Sequence, residues 1–228
     1  MPYDIFFFDL DDTLLDWGAT ERSAFTHTMA DLGVGADDPE FYAFYQRENE
    51  GLWKQFEQGL VTKEHLKVER FRLLFAAHKI DLDPATASLR YVDRLPQTVV
   101  LIDHAAEICE WLSGKGELGI VTNGIHAVQS QRIRNSAIAP YISFICDSES
   151  CGFAKPDVRF FEHARTLPKR FNKASSIVIG DRLEADILGA RNFGVDSCWY
   201  NPLQLPSPAE LAPTHEISHL SDLRRIIE

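Results

Sequence analysis

Residues 5–14 of the chain read IFFFDLDDTL, a short apolar run that ends in a group of acidic residues. A continuous run of large apolar side chains is typical of a strand that is buried on both faces of a parallel sheet. Asp9 follows at the predicted carboxyl end of that strand, and Asp11 lies just beyond it. Because open α/β sheets bind their ligands at the carboxyl ends of strands, this stretch predicts both a fold and the place of a functional site.

The hydrophobic pattern on the C-terminal side of this stretch changes twice. Residues 17–94 have a helical pattern, with helix starts at Thr62 and at Asp83, which Pro84 follows as a first-turn proline. Beyond Pro96, short apolar runs alternate with helical segments. Strands that alternate with helices imply crossover connections and a mainly parallel sheet.

The predicted fold is therefore a Rossmann-like α/β domain whose open sheet is interrupted after its first strand by a helical insert. The predicted α/β domain covers residues 1–15 and 96–228, and the insert covers residues 16–95. We expect the last strand of the sheet at residues 197–200.

Two later strands also end in polar residues. The run that ends at residue 121 leads into Thr122, Asn123 and Gly124, and the run at residues 177–179 leads into Gly180 and Asp181. Carboxylates gathered at one edge of a sheet would repel one another, and a hard divalent cation such as Mg²⁺ resolves this because it prefers oxygen ligands. A single aspartate after a strand is more often a turn or cap residue, which is how we interpret Asp12.

Four stretches together resemble the sequence motifs of the haloacid dehalogenase-like hydrolases, and specifically of their members with a helical cap of the first type. They are residues 5–14, with an apolar strand and DxDxT, residues 120–124 (IVTNG), Lys155 with Pro156, and residues 180–186 (GDRLEAD). The four occur in the family's order and span most of the chain. The resemblance implies that the insert is a cap that closes over the active site and selects the substrate.

The resemblance also implies a role for each matching residue. Asp9 would attack phosphorus and form an aspartyl-phosphate, and Asp11 would protonate the leaving oxygen and then activate water. Thr122, Asn123 and Lys155 would hold the phosphoryl oxygens.

The metal implied by the resemblance is Mg²⁺. Its ligands would be Asp9, the backbone carbonyl of Asp11, and Asp181, while Asp186 and Thr13 would lie behind these ligands and orient them.

The same family contains enzymes of other chemistry. Haloacid dehalogenases attack carbon with the first aspartate, need no metal and lack the second aspartate of the first motif, whereas Asp11 is present here. We therefore favour a phosphatase, since cleavage of a phosphate ester needs a general acid. A phospho-accepting module without turnover is a more distant alternative, because such a receiver domain has no helical insert.

The substrate is predicted from the insert. Residues 49–62 resemble the cap of the pyrimidine 5′-nucleotidase branch, with Asn49, Trp53 and Arg70 as candidate substrate contacts. For Arg70 a structural role within the helical insert is the stronger interpretation. A nucleoside 5′-monophosphate is thus the expected substrate, and phosphoglycolate or a sugar phosphate is the alternative.

Composition restricts the partners. The formal net charge is −11 and no apolar stretch reaches the length of a bilayer-spanning helix, so we expect neither a nucleic acid polymer nor a membrane as partner. The four cysteines form no CxxC pair, which favours reduced thiols and a cytoplasmic location. The chain is compatible with a monomer or a homodimer.

Overall fold

The computed structural model describes residues 3–35 and 39–228; residues 1–2 and 36–38, and the parts of the predicted domains that cover them, lie outside the described residues. The chain divides into two compact units. One comprises Met1–Trp17 with Val99–Glu228, and the other comprises Gly18–Thr98. The assignment of these units as catalytic domain and cap stays a prediction.

The unit Gly18–Thr98 is helical throughout its described secondary structure. Its helices are α1 (Trp17–Asp31), α2 (Pro39–Glu57), α3 (Lys63–His78) and α4 (Pro84–Arg94). The predicted helix starts are confirmed, because the Thr62 side chain accepts from the backbone N–H of His65 and Asp83 accepts from the first turn of α4. These caps satisfy amide groups that have no partner within the helix.

Aromatic side chains form the centre of this helical unit. Tyr45 is fully buried, and its ring centroid lies 4.6 Å from that of Phe25, 5.6 Å from that of Phe71 and 5.8 Å from that of Tyr91. Tilted and edge-on contacts at these distances are favourable for aromatic pairs. Each of the four rings comes from a different helix, so the cluster holds α1 to α4 together.

The other unit contains the predicted sheet. Its strands are β1 (Ile5–Phe8), β2 (Glu117–Thr122), β3 (Ile142–Asp147), β4 (Ser176–Gly180), β5 (Asp196–Tyr200) and β6 (His215–Ile217). They form one six-stranded sheet in the order β3-β2-β1-β4-β5-β6, and every pairing is parallel. The predicted open, parallel α/β sheet is confirmed.

Helices cover both faces of this sheet. They are α5 (Ala105–Ser113), α6 (His126–Arg134), α7 (Ser148–Cys151), α8 (Val158–Ala164), α9 (Leu188–Phe193) and α10 (Leu223–Ile227). Successive residues of β1 point to opposite faces, so Phe6 and Phe8 belong to one apolar core while Ile5 and Phe7 belong to the other. The continuous apolar run at the start of the chain is explained by this double burial.

The end of the sheet differs from the prediction. Residues 197–200 are not in the last strand, because β6 adds a sixth strand after a proline-containing loop. With only His215–Ile217, β6 is too short to produce a recognisable alternation in the sequence. Within the described part of the chain, no helix combines the length and the apolar character needed to cross a membrane.

Candidate active site

The carboxyl ends of β1, β2 and β4 bring three predicted site residues to one edge of the sheet. The strand order makes β1 the neighbour of both β2 and β4, so Asp9 follows the central strand, with Thr122 on one side and Asp181 on the other. The backbone N–H of Asp9 donates to the carbonyl of Ile179 over 2.8 Å, which continues the pairing beyond β1. Asp9 is thereby held at the point where the sheet ends.

Lys155 connects the carboxylates at this edge. Its Nζ lies 2.6 Å from Asp9 Oδ1, 2.6 Å from Asp186 Oδ1 and 2.8 Å from the carbonyl oxygen of Val121. Lys155 is 2% exposed, and the three acceptors occupy its three N–H donors. The lysine predicted from the third motif thus lies at the side of the nucleophile predicted from the first.

The charges at this edge oppose one another. Burial alone would lower the pKa of Lys155, but the charges of Asp186 and Asp9 outweigh it and raise that pKa, so the ammonium form is held. Burial raises the pKa of Asp9 to about 7 even though the charge of Lys155 opposes the shift. The charge of Lys155 therefore does not fully offset the cost of burying the Asp9 carboxylate.

A divalent cation would supply the missing compensation. Asp9, Asp181 and Asp186 each offer a carboxylate oxygen, and these oxygens lie within 4.8 Å of one another. Burial and the charge of Asp9 raise the pKa of Asp181 well above its usual range, as expected for crowded carboxylates without a counter-ion. A site of buried carboxylate oxygens fits Mg²⁺, whereas its ligand set stays a prediction.

Asp186 and Thr13, which we predict to lie behind the metal ligands, each form hydrogen bonds within the site. Asp186 uses Oδ1 for Lys155, and its Oδ2 accepts from the backbone N–H of Arg182 over 3.1 Å. Thr13 is fully buried and donates to Asp181 Oδ1 over 3.4 Å. Both contacts fix the direction of a carboxylate.

Asn123 is engaged with the backbone of Lys155. Its Oδ1 accepts from the Lys155 N–H over 2.8 Å, and its Nδ2 donates to the Lys155 carbonyl over 3.0 Å. This two-point contact places the lysine. The predicted contact between Asn123 and a phosphoryl oxygen stays a prediction.

The side chain of Asp11 contacts two residues of α6. Its Oδ2 accepts from Gln129 Nε2 over 2.6 Å, and its Oδ1 forms an ion pair with the guanidinium of Arg132. Gln129 and Arg132 were not predicted from the sequence. Their spacing of one helical turn, directly after the Thr122–Gly124 strand end, was the available signal.

The interpretation of Asp12 as a turn or cap residue is confirmed. Asp12 has a positive φ of 55°, and its Oδ1 accepts from the backbone N–H of Trp17, the first residue of α1, over 2.9 Å. Aspartate tolerates the left-handed region better than most residues.

The candidate substrate residues of the helical unit differ in how far their side chains are bound by neighbouring residues. Asn49 Nδ2 donates to the buried carboxylate of Glu21 over 2.7 Å, and Arg70 Nη1 donates to Asn49 Oδ1 over 3.2 Å. Arg70 also stacks on Tyr91, 4.4 Å from the ring centroid. Asn49 and Arg70 therefore have a structural role in the helical unit, while Trp53 is only half-buried.

Comparison with known proteins agrees with this geometry. The family model of haloacid dehalogenase-like hydrolases matches residues 6–200. The pyrimidine 5′-nucleotidase PynA of Streptococcus pneumoniae is 35% identical over 98% of this chain and 94% of its own. The pyrimidine 5′-nucleotidase YjjG of Escherichia coli is 27% identical over 100% of this chain and 99% of its own.

A solved structure supports the same assignment. The magnesium-bound crystal structure of the Bacillus subtilis protein described as HAD-hydrolase YfnB superposes with a TM-score of 0.93 at 33% identity, and the match covers 100% of this chain and 99% of that one. The family model, the related sequences and the solved structure all confirm the predicted resemblance. The chain belongs to the haloacid dehalogenase-like hydrolase family.

Proposed function

We propose that the chain is a Mg²⁺-dependent phosphomonoester hydrolase that forms an aspartyl-phosphate on Asp9, with pyrimidine nucleoside 5′-monophosphates as its substrates. The main structural support for the proposal is that Lys155 Nζ contacts both Asp9 and Asp186. Carboxylate oxygens of Asp9, Asp186 and Asp181 lie within 4.8 Å of one another. A buried nucleophile with a fixed ammonium group at its side is suited to attack on a negatively charged phosphoryl group.

The first half-reaction transfers the phosphoryl group to the protein. An Asp9 carboxylate oxygen attacks phosphorus while the bond to the leaving oxygen breaks, and Asp11 gives its proton to that oxygen. Thr122 and Lys155 bind the phosphoryl oxygens, for which the Lys155 ammonium exchanges one of its three present acceptors. Asp9, the Asp11 carbonyl and Asp181 would hold Mg²⁺, which would supply charge neutralisation when bound.

The second half-reaction restores Asp9. Asp11, now ionised, takes a proton from a water molecule that attacks the phosphorus of the aspartyl-phosphate. The bond between phosphorus and Asp9 breaks, inorganic phosphate leaves, and Asp11 is protonated for the next cycle. The need for a proton donor to the leaving group distinguishes this chemistry from that of metal-free dehalogenases.

The substrate class rests on the similarity to PynA and YjjG, whose names state pyrimidine 5′-nucleotidase activity. Asn49, Trp53 and Arg70 stay candidate substrate contacts, and Trp53 is the strongest of the three because Asn49 is bonded to Glu21 and Arg70 to Asn49. The cytoplasmic location and the monomeric or homodimeric state also stay predictions of the sequence.

A substrate panel tests the proposal. Phosphate release is measured with Mg²⁺ from UMP, dUMP, phosphoglycolate and hexose phosphates, and Asp9→Asn serves as the blank for contaminating phosphatases. We expect UMP and dUMP to give the highest kcat/KM. The reverse order would replace the nucleotidase by a phosphatase of small metabolites, and no release from any ester would refute the phosphatase itself.

A further inference from the structure

Two buried side chains of α6 reach into the candidate site. Gln129 is 1% exposed and Arg132 is fully buried, although both are polar and one is charged. Buried polar groups are costly unless they are hydrogen-bonded, so their partners explain why the chain places them there. Those partners are Asp11 and Thr122, two residues to which the proposed mechanism gives direct roles.

The orientation of the Gln129 amide follows from its neighbours. Arg132 Nη1 lies 2.9 Å from Gln129 Oε1, and because a guanidinium can only donate, that atom must be the carbonyl oxygen. Gln129 Nε2 then donates to Asp11 Oδ2 over 2.6 Å and to Thr122 Oγ1 over 3.0 Å. One side-chain orientation satisfies all three contacts.

This arrangement determines where the Thr122 hydroxyl can donate. Its oxygen accepts from Gln129 Nε2 and also from the backbone N–H of Gly124 over 3.0 Å. A hydroxyl has two acceptor lone pairs and one proton, so with both lone pairs in use its proton is available to a third group. A phosphoryl oxygen bound at this strand end would be that group.

Gly124 provides the space for Gln129. A Cβ on residue 124 would lie 2.3 Å from Gln129 Nε2, a distance at which the side chain would have to move. The position of the Gln129 side chain therefore explains why residue 124 is a glycine.

Arg132 fixes the other oxygen of Asp11. Its guanidinium forms an ion pair with Asp11 Oδ1 and lies over the ring of Trp17, 5.3 Å from the centroid. A buried guanidinium without a carboxylate partner would be strongly unfavourable, so the pair constrains both side chains. Asp11 is held at both of its carboxylate oxygens.

We propose that Gln129 and Arg132 are positioning residues of the active site, which orient Asp11 for proton transfer and direct the Thr122 hydroxyl toward the phosphoryl group. This inference rests on the proposed phosphatase function. Neither residue takes part in bond making: the proton passes from Asp11 to the leaving oxygen in the first half-reaction and from water to Asp11 in the second.

The role predicts a dependence on the leaving group. An aryl phosphate with an electron-withdrawing substituent leaves without a proton, whereas an unsubstituted phenyl phosphate needs one. Loss of the positioning of Asp11 should therefore slow poor leaving groups most. We expect Arg132→Met and Gln129→Leu to lower kcat/KM for phenyl phosphate about 100-fold, the low end of the range for general acid–base catalysis, with a smaller loss for p-nitrophenyl phosphate.

The experiment measures kcat/KM for a series of substituted phenyl phosphates with the wild-type protein, Arg132→Met, Gln129→Leu and the charge-retaining Arg132→Lys. Arg134→Met and Gln131→Leu are matched controls, because both residues are exposed on the same helix. Thermal melts identify any variant that fails to fold. The kcat/KM values of the folded variants then test the positioning role. Adding Arg132→Met to Asp11→Asn should have little further effect, because both changes remove the same function.

The outcomes separate this inference from the function on which it rests. A steeper dependence on the leaving group in the α6 variants, with partial recovery in Arg132→Lys, supports the positioning role. An equal loss for every phenyl phosphate, or additive losses with Asp11→Asn, overturns it while the phosphatase proposal stands. If the wild-type protein hydrolyses none of the series, the proposed function and this inference both fall.

Discussion

Lys155 donates from Nζ to Asp9 Oδ1 over 2.6 Å, and both residues are almost completely buried. The two side chains come from motifs far apart in the chain, and the same ammonium group contacts Asp186. Removal of this lysine would leave the buried carboxylates of Asp9 and Asp186 without its positive charge. The contact therefore makes a prediction about stability as well as activity.

Lys155→Met should abolish turnover and destabilise the metal-free protein by about 3–5 kcal/mol, the cost of breaking a buried ion pair from one side. Urea unfolding in the presence of a chelator measures the loss. Lys169→Met removes an exposed lysine of the same unit and should behave as the wild type. Unchanged stability of Lys155→Met would mean that its ammonium does not compensate the carboxylates.

Mg²⁺ should both activate and stabilise the protein. A ligand that binds only the folded state at 100 times its dissociation constant adds about 2.7 kcal/mol to the free energy of unfolding. Addition of Mg²⁺ to chelator-treated protein should raise the thermal midpoint and restore phosphate release. Asp181→Asn should need more Mg²⁺ for both effects. Full turnover in excess chelator would refute the metal requirement.

Gly180→Ala should disturb the site without removing any polar group. A Cβ on residue 180 would lie 2.3 Å from Asp186 Oδ2, so the Asp186 carboxylate would have to leave its position beside Lys155. We expect a loss of about 1–3 kcal/mol in stability, as for other overpacked sites, and a fall in kcat. Gly114→Ala is the matched control, because its Cβ would meet no heavy atom closer than 3.5 Å. A wild-type kcat in Gly180→Ala would show that turnover does not depend on the position of the Asp186 carboxylate beside Lys155.

Cys151 should be the thiol that alkylates first. A hydrogen bond from Cys146 lowers the pKa of Cys151 to about 7, whereas burial raises the pKa of Cys109 to about 12. Since only the thiolate reacts, the rate of iodoacetamide labelling at Cys151 should rise with pH through about 7 and then level off. Peptide mapping by mass spectrometry follows each cysteine. Cys146→Ala should move the midpoint to higher pH, and an unmoved midpoint would contradict the role of Cys146.

The sequence was informative wherever a site residue ends a strand or directly follows one. Asp9, Thr122 and Asp181 could be predicted because a buried strand is a recognisable apolar run and its carboxyl end has a fixed place in an open sheet. Their assembly at one edge needed only the parallel order of the strands.

The partners of these residues were less predictable. The contact of Asn123 with the backbone of Lys155 joins two loops that are distant in sequence, and no local pattern encodes it. Gln129 and Arg132 lie on a helix whose hydrophobic pattern is weak, so their polar side chains gave no reason to expect complete burial.

Chemical trapping of the intermediate tests the central claim most directly. The protein is mixed with UMP or p-nitrophenyl phosphate and Mg²⁺, quenched during turnover and treated with borohydride, which reduces an aspartyl-phosphate to homoserine. Peptide mapping should find homoserine at position 9, in the wild type and not in Asp9→Asn or in protein quenched without substrate. Rapid phosphate release with Asp9 unmodified, or with the label on another residue, would contradict Asp9 as the nucleophile.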